Sequence, residues 1–204
     1  FSFYTIISRL LGYLRDIMIA IFLGTSFLAD VFFVAFRIPN TFRRLFAEGT
    51  FNAAFVPNYT SKLIKGKNQS NKFANEVFNI LFLILLILTL VAQIFMPGLV
   101  GLLAPGFVEN SEKIELATKL TRNTFPFLML VCLSSFFSAI LNSHNKFAAA
   151  SAAPIILNVI LIVVLLFGKF LNDKLVYYLS YGVSLGGLIQ LIFLYKFVIK
   201  HYSP

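Results

Sequence analysis

The sequence predicts an all-α membrane protein, and two observations support this prediction. First, 59% of the 204 residues are hydrophobic and only 12% are charged, against about 25% charged residues in an ordinary soluble domain. A soluble domain of this length must keep a wet exterior, so it cannot bury that much apolar surface. Second, the apolar residues form runs of about 20 residues, the length that a helix needs to cross a bilayer core. A soluble enzyme, a disordered tail and a secreted disulfide scaffold are therefore excluded.

The rarer residue types point away from several kinds of site. A net charge of +9 would suggest nucleic acid in a soluble protein, but the basic residues lie between or inside apolar runs, so no nucleic-acid partner is expected. The single cysteine, Cys132, lies in an apolar run and is interpreted as an inert core residue. With two histidines, His144 and His201, and no nucleophile or phosphate-loop motif, we expect no metal, no cofactor and no enzymatic activity.

Six transmembrane helices are predicted along the chain. Four of them contain a long uncharged stretch and cover approximately residues 74–97, 121–142, 148–168 and 175–198. The ranges 1–28 and 29–59 are also long enough to span, although they hold five of the six arginines. Short loops join the helices and no soluble domain interrupts them. Residues 1–204 are thus predicted to form one six-helix transmembrane lobe.

The loops predict an orientation through the positive-inside rule. One side has seven basic residues: Lys62, Lys65, Lys67, Lys72, Lys146, Lys196 and Lys200. The other side has five, partly offset by acidic residues: Lys113, Lys119, Arg122, Lys169 and Lys174. This bias predicts that both ends of the chain lie in the cytoplasm.

The charged residues of the first helix are predicted to face the protein interior, because a charge at the bilayer centre costs about 2.5–3.5 kcal/mol. Arg9 and Asp16 are seven residues apart, which places them within about 20° of each other on a helix. The same polar arc includes Ser2, Thr5, Ser8, Gly12 and Arg15. The opposite face is apolar and suited to lipid, with Leu10, Leu14, Ile17 and Ile21.

The second helix repeats this pattern around a proline. Its charged residues at intervals of seven are Asp30, Arg37 and Arg44. Glu48 follows Arg44 by four residues and can pair with it. Pro39 removes one backbone hydrogen bond and is predicted to kink the helix near Ala35. Such irregular backbone at membrane depth is tolerated where it lines a cavity.

The excess of cations in these two helices favours an anionic ligand. Five arginines stand against three acidic residues, and an unpaired cation in a membrane cavity needs an anion. Phosphate fits the planar guanidinium group best. Two alternatives stay open: Arg9, Arg43 and Arg44 could extend to lipid headgroups, and Asp16 and Asp30 could simply neutralise arginines.

Several motifs resemble one known family. Near the first helix, residues 8–16 read SRLLGYLRD; in the second, residues 29–40 read ADVFFVAFRIPN and residues 43–49 read RRLFAEG. Further matches in order are AFVP at 54–57, APGF at 104–107, TFP at 124–126, AILN at 139–142, AP at 153–154 and LNV at 157–159. This pattern is similar to the MurJ/MviN family of lipid II flippases, within the multidrug/oligosaccharidyl-lipid/polysaccharide exporter superfamily.

The resemblance implies a fold and an activity. Family members have fourteen transmembrane helices in two lobes, so this chain would be the first lobe without its first few residues, and the C-terminal lobe would be missing. The family moves lipid II, an undecaprenyl-diphosphate-linked disaccharide peptide, from the cytoplasmic to the periplasmic leaflet by alternating access, for cell-wall synthesis. The expected location is the bacterial inner membrane, and the expected partners are lipid II, the lipid bilayer and the missing lobe.

The resemblance also implies roles for individual residues. The cavity residues that would meet the diphosphate and the sugar-peptide headgroup are Arg9, Arg15, Arg43, Arg37 and Ser8. Their acidic partners would be Asp16, Asp30 and Glu48. One departure is Ile21, where many family members have a basic residue.

Two other functions stay open from the sequence. One is a flippase or exporter of the same superfamily for another polyprenyl-linked glycan or a drug, although the Pro39–Gly49 pattern argues against it. The other is a membrane interaction module without transport, which the short chain would suit.

Overall fold

The computed structural model describes residues 2–24, 26–48, 50–171 and 174–202, with the backbone alone at positions 2, 38, 42–48, 50, 169 and 171. Within these ranges the chain forms α-helices and one 3₁₀ turn, without a strand. The helices are α1 (Ser2–Leu23), α2 (Phe27–Glu48), α3 (Thr50–Lys65), α4 (Lys67–Ile94), α5 (Met96–Leu103), α6 (Ser111–Thr124), α7 (Pro126–Ser143), α8 (Phe147–Leu166), α9 (Gly168–Leu171) and α10 (Leu175–Val198). The predicted all-α class is confirmed.

Four helical segments are long and apolar enough to cross a membrane, so the chain is a multi-pass membrane protein. They are Lys67–Ile94, Ser111–Ser143, Phe147–Leu166 and Leu175–Val198. The helices α1 and α2 have 22 residues each, which corresponds to about 33 Å and is long enough to span. Their charged residues set them apart from the four apolar spans, so the predicted number of six stays a prediction.

The observed helix bounds differ from the apolar ranges of the sequence. The first helix ends at Leu23, because Gly24 adopts a left-handed backbone with φ of 59°, which glycine accepts without strain. The expected helix 29–59 corresponds to α2 and α3, which lie on either side of position 49, and α3 continues to Lys65. The fourth helix begins at Lys67, well before the apolar run, because polar residues extend a helix readily beyond the membrane.

The helices α7, α8 and α10 form the centre of the bundle. Of the 18-residue apolar stretch within Ser111–Ser143, 78% is buried, against 11% of the corresponding stretch within Lys67–Ile94, whose apolar side chains face outward. Close approach depends on two glycines of α10, Gly186 and Gly187. A Cβ on Gly186 would lie 2.7 Å from Leu157 Cδ1, and a Cβ on Gly187 would lie 2.5 Å from Phe127 Cδ2.

Helix α1 packs mainly against α8 and presents its apolar face outward. The four residues that the sequence placed on the lipid side, Leu10, Leu14, Ile17 and Ile21, are all exposed. This confirms the predicted division of α1 into a polar and an apolar face.

At one end of the bundle, three segments lie together: the α3–α4 junction, the α7–α8 loop and the segment after α10. The hydroxyl of Tyr59 lies 3.2 Å from Nε2 of His144, and the His144 and His201 rings stack with their centroids 4.6 Å apart. The Tyr202 hydroxyl donates to Oδ1 of Asn75 at 2.6 Å. The basic loop residues that the sequence assigned to one side, such as Lys67, therefore lie at this same end.

Candidate functional site

A partly open polar cavity of about 660 Å³ lies between α1, α7 and α8. Helix α1 contributes the residues that the sequence placed on its polar face: Thr5, Ser8, Arg9, Gly12, Arg15 and Asp16, with Tyr13 beside them. Asn52 of α3 and Gln190 of α10 complete the lining with residues of α7 and α8. The charged residues of α1 thus face a hollow in the bundle rather than lipid.

Arg15 is held at this cavity from two sides. Its Nε and Nη2 atoms donate to Oδ1 of Asp16 at 2.9 and 2.7 Å, and its Nη1 atom donates to Oδ1 of Asn158 at 2.8 Å. The guanidinium carbon also lies 5.8 Å from the ring centroid of Phe36. The side chain is 15% exposed, so its orientation is fixed by these contacts while part of it still faces the cavity.

Asn158 connects α8 to α1 through both ends of its amide. The Oδ1 atom accepts from Arg15, and Nδ2 donates to the backbone carbonyl of Ser8 at 3.0 Å. The residue is 6% exposed, and it lies opposite Gly12, where a Cβ would be in ordinary contact with Nδ2 at 3.6 Å. Asn158 is therefore the partner of Arg15 on another helix.

Arg9 lines the same cavity without an ion pair to any residue whose side chain the structure describes. The charged groups among the described lining residues are two guanidinium groups, of Arg9 and Arg15, and the carboxylate of Asp16. Two positive charges and one negative charge give this part of the lining a net charge of +1. Such a surface attracts an anion that can accept several hydrogen bonds.

The wall formed by α7 is polar but uncharged. It consists of Ser134, Ser135, Ser138 and Asn142, with Val131 at its inner end. These residues were not predicted as site residues, and a serine in an apolar helix can bond to its own backbone. The spacing of four residues between Ser134, Ser138 and Asn142 is the signal that would have revealed a common face.

The cationic and acidic residues predicted on α2 lie elsewhere or outside the described side chains. Asp30 and Arg37 are exposed and do not line this cavity. Pro39 is buried inside α2, which continues through it to Glu48. The side chains of Arg43, Arg44 and Glu48 lie outside the described residues.

Comparison with known proteins shows the family. The model of the family described as lipid II flippase MurJ matches residues 19–204. The chain is 43% identical over 196 residues to a protein of Rhizobium tropici named "Probable lipid II flippase MurJ", covering 94% of the chain and 37% of that protein. It is 38% identical over 200 residues to a protein of the same name from Rickettsia prowazekii (strain Madrid E), covering 98% and 39%.

A third relative of that name, from Buchnera aphidicola subsp. Acyrthosiphon pisum (strain APS), is 38% identical over 201 residues, covering 98% of the chain and 39% of that protein. The chain therefore spans less than two fifths of the length of these relatives, with a match along nearly its whole length. On the family match over residues 19–204, the chain belongs to the lipid II flippase MurJ family.

Proposed function

We propose that the protein containing this chain moves lipid II from the cytoplasmic to the periplasmic leaflet of the bacterial inner membrane, for peptidoglycan synthesis. The observation that carries the proposal is the hold on Arg15: a guanidinium group fixed by Asp16 and Asn158 at a polar cavity inside a membrane bundle. A charged side chain within a membrane protein's spans is energetically costly, so a charged residue kept there indicates a functional site. Membership of the family indicates lipid II as the anion that this cavity receives.

The chemistry of the cavity suits the parts of lipid II. The diphosphate offers oxygen acceptors to Arg9 and Arg15, and a planar guanidinium group can bind two phosphate oxygens at once. A large polar head needs a hydrated space such as this cavity of about 660 Å³, while a prenyl tail can stay among the bilayer chains. The protein is then a transporter and not an enzyme, because no bond of the lipid has to break.

The orientation follows from the end of the bundle at which the basic loops meet. Lys67 lies close to His144 and Lys146 close to His201, and positive loops remain in the cytoplasm. The cavity extends from Asn142 and Ala150 near this end to the middle of α8. In this orientation both ends of the chain are cytoplasmic and the cavity opens inward, ready to accept lipid II from the inner leaflet.

A second lobe would complete the site. The relatives are more than twice as long as this chain, and the helices of the other lobe, facing α1 and α2, would close the open side of the cavity. Asp30 and Arg37, which are exposed on α2, would then face that lobe. We retain them with Arg43, Ser8 and Glu48 in the proposed binding and gating set, and α1 and α2 as two further membrane spans.

Depletion of the intact protein in its own bacterium tests the proposal. We expect lipid II to accumulate in the inner leaflet, measured by its inaccessibility to an externally added lipid II-cleaving enzyme, while lipid II synthesis continues. Re-expression of the unaltered gene should restore access. Unchanged lipid II distribution together with the loss of another surface glycan would instead assign the protein to a different polyprenyl-linked substrate and overturn the proposal.

A further inference from the structure

Polar, uncharged side chains line the cavity at a regular spacing along α7, and the contacts of Arg15 do not account for them. Ser134, Ser138 and Asn142 are spaced four residues apart on α7 and therefore share one face of the helix. All three line the cavity, and they form a strip about 12 Å long, given the helical rise of about 1.5 Å per residue. We call these three residues the α7 strip.

Two polar atoms of the α7 strip have no hydrogen-bond partner within the described part of the chain. They are Oγ of Ser134, in a residue only 1% exposed, and Oδ1 of Asn142. Neighbouring serines of the same helix behave differently: Ser135 donates to the carbonyl of Val131 at 3.0 Å, and Ser143 donates to that of Ala139 at 2.9 Å. The helix backbone thus offers an acceptor that Ser134 does not use.

A buried polar group without a partner costs about 1–3 kcal/mol. Two such groups on one face of one helix, both at a cavity, are accounted for when a ligand or its hydration supplies the missing bonds. The partner must be polar, because an apolar surface would leave the same atoms unsatisfied. It must also offer a hydrogen-bond donor, since Oδ1 of Asn142 can only accept, and an ionised diphosphate offers acceptors alone.

The donor and acceptor pattern identifies the class of ligand. A serine hydroxyl and an asparagine amide each donate and accept hydrogen bonds, and so do the hydroxyl and acetamido groups of a carbohydrate. We propose that the α7 strip is a carbohydrate subsite, which binds the sugar part of a lipid-linked headgroup while Arg9 and Arg15 bind its diphosphate. This inference rests on the proposed function, because it takes the ligand to be a lipid-linked saccharide.

Helix packing is consistent with two parts of the ligand binding to two walls of the cavity, one formed by α1 and the other by α7. Helix α1 is anchored to α8, through Asn158, whereas α7 is anchored to α10, α2, α3 and α4 as well as to α8. The two walls thus belong to differently supported helices, and the cavity lies between them.

Two lipid probes separate the subsite from the phosphate site. We would measure binding of lipid II and of undecaprenyl diphosphate, which has the tail and the diphosphate without sugars, to the intact purified protein in nanodiscs. The triple variant Ser134→Ala, Ser138→Ala and Asn142→Ala should weaken lipid II binding by about tenfold or more, as expected for the loss of two or three hydrogen bonds. Its affinity for undecaprenyl diphosphate should change less than about twofold.

Matched variants make the result specific. Ser143→Ala removes a hydroxyl of the same helix that bonds to Ala139 and does not line the cavity, so it should change neither affinity. Arg15→Ala should weaken both lipids. An equal loss of both lipids in the triple variant, or no loss of lipid II, would overturn the carbohydrate subsite while leaving the proposed function standing. Failure of the unaltered protein to bind either lipid would overturn both.

Discussion

The hydroxyl of Thr124 on α6 donates a hydrogen bond of 2.7 Å to the backbone carbonyl of Ala35 on α2. Ala35 precedes Pro39 by four residues, and its carbonyl is the acceptor that the missing N–H of a proline at position 39 leaves unpaired. Both Thr124 and Ala35 are fully buried. A side chain of another helix thus satisfies the backbone group that Pro39 freed, which explains how α2 keeps a proline in its interior.

Removal of the Thr124 hydroxyl should destabilise the protein, because Pro39 cannot donate to the Ala35 carbonyl in its place. We expect Thr124→Val to lower the free energy of unfolding by about 1–3 kcal/mol, because the Ala35 carbonyl is left buried and unpaired. In a Pro39→Ala background the same substitution should cost less, because the backbone N–H restored at position 39 can donate to the Ala35 carbonyl within the helix. The measurement is a double-mutant cycle by thermal unfolding of the detergent-purified intact protein.

Thr121→Val is the matched control for this cycle. Thr121 lies on the same helix, is equally buried, and donates to the carbonyl of Ala117 in its own helix. Its loss should therefore be milder and independent of Pro39. If Thr124→Val lowered the free energy of unfolding equally with and without Pro39, Thr124 would not be replacing the hydrogen bond that the proline removes.

The face that α1 presents to the cavity could be predicted from the sequence because it depends on helical periodicity alone. Arg9, Asp16 and Gly12 fall on one arc at about 100° per residue, and the structure places them on one cavity. The lipid-facing leucines and isoleucines followed from the same calculation.

The other wall could not be predicted, because it depends on tertiary placement. Which face of α7 meets the cavity is set by its packing against α10 and α8, and periodicity gives no preference on a helix that is apolar nearly all round. The partner of Arg15 was also not predictable: Asn158 is 143 positions away in sequence. The placement of Arg37 outside the cavity shows the same limit, since periodicity predicts a polar stripe on α2 but not the rotation of that helix in the bundle.

Because Arg15 binds Asp16 and Asn158 with different nitrogens of its guanidinium group, lysine should be a poor substitute there. Lysine has one charged nitrogen and cannot reach Asp16 and Asn158 in the same geometry. We expect Arg15→Lys to reduce transport by about tenfold or more, the loss expected when a charge-assisted hydrogen bond worth about 1.5–3 kcal/mol is broken. Arg15→Ala and Arg43→Ala should abolish transport without preventing membrane insertion, measured by complementation of a depletion strain and by protein level in the membrane.

Arg122→Lys is the control for the arginine series. Arg122 is exposed on α6 and does not line the cavity, so lysine should preserve transport there. Full complementation by Arg15→Lys would indicate that the side chain merely extends to the headgroups and would contradict its role at the cavity.

An added methyl group on α10 should destabilise the bundle at Gly187. A Cβ there would lie 2.5 Å from the ring of Phe127, which is fully buried, so the ring or the helix must move. We expect Gly187→Ala to cost about 1–3 kcal/mol, the usual effect of overpacking. Thermal unfolding should show a lower midpoint, and Phe127→Leu in the same chain should recover part of it. Gly98→Ala, where nothing lies within 4 Å of the new Cβ, should be neutral or slightly stabilising.

The His144 contacts predict a loss of stability at low pH. Burial lowers the pKa of His144, and the nearby His201 and Lys67 lower it further. The unfolded chain, with a histidine pKa of about 6.5, then binds this proton more readily than the folded protein does. The contribution of His144 is therefore fully present above about pH 6.5 and is lost as the pH falls toward the lower pKa of the folded protein.

We expect the thermal midpoint of the purified protein to be lower at about pH 5.5 than at about pH 7.5. The variant His144→Gln should show a smaller difference, because glutamine has no proton to gain. Lys67→Gln should also reduce it, since removal of that charge brings the folded pKa of His144 closer to its unfolded value. Lys174→Gln, at an exposed position before α10 and far from this cluster in sequence, is the matched control and should leave the pH profile unchanged. A profile that is the same in the unaltered protein and in His144→Gln would place the acid sensitivity elsewhere. Together the three variants separate a histidine titrating beside a positive charge from a general loss of stability at acid pH.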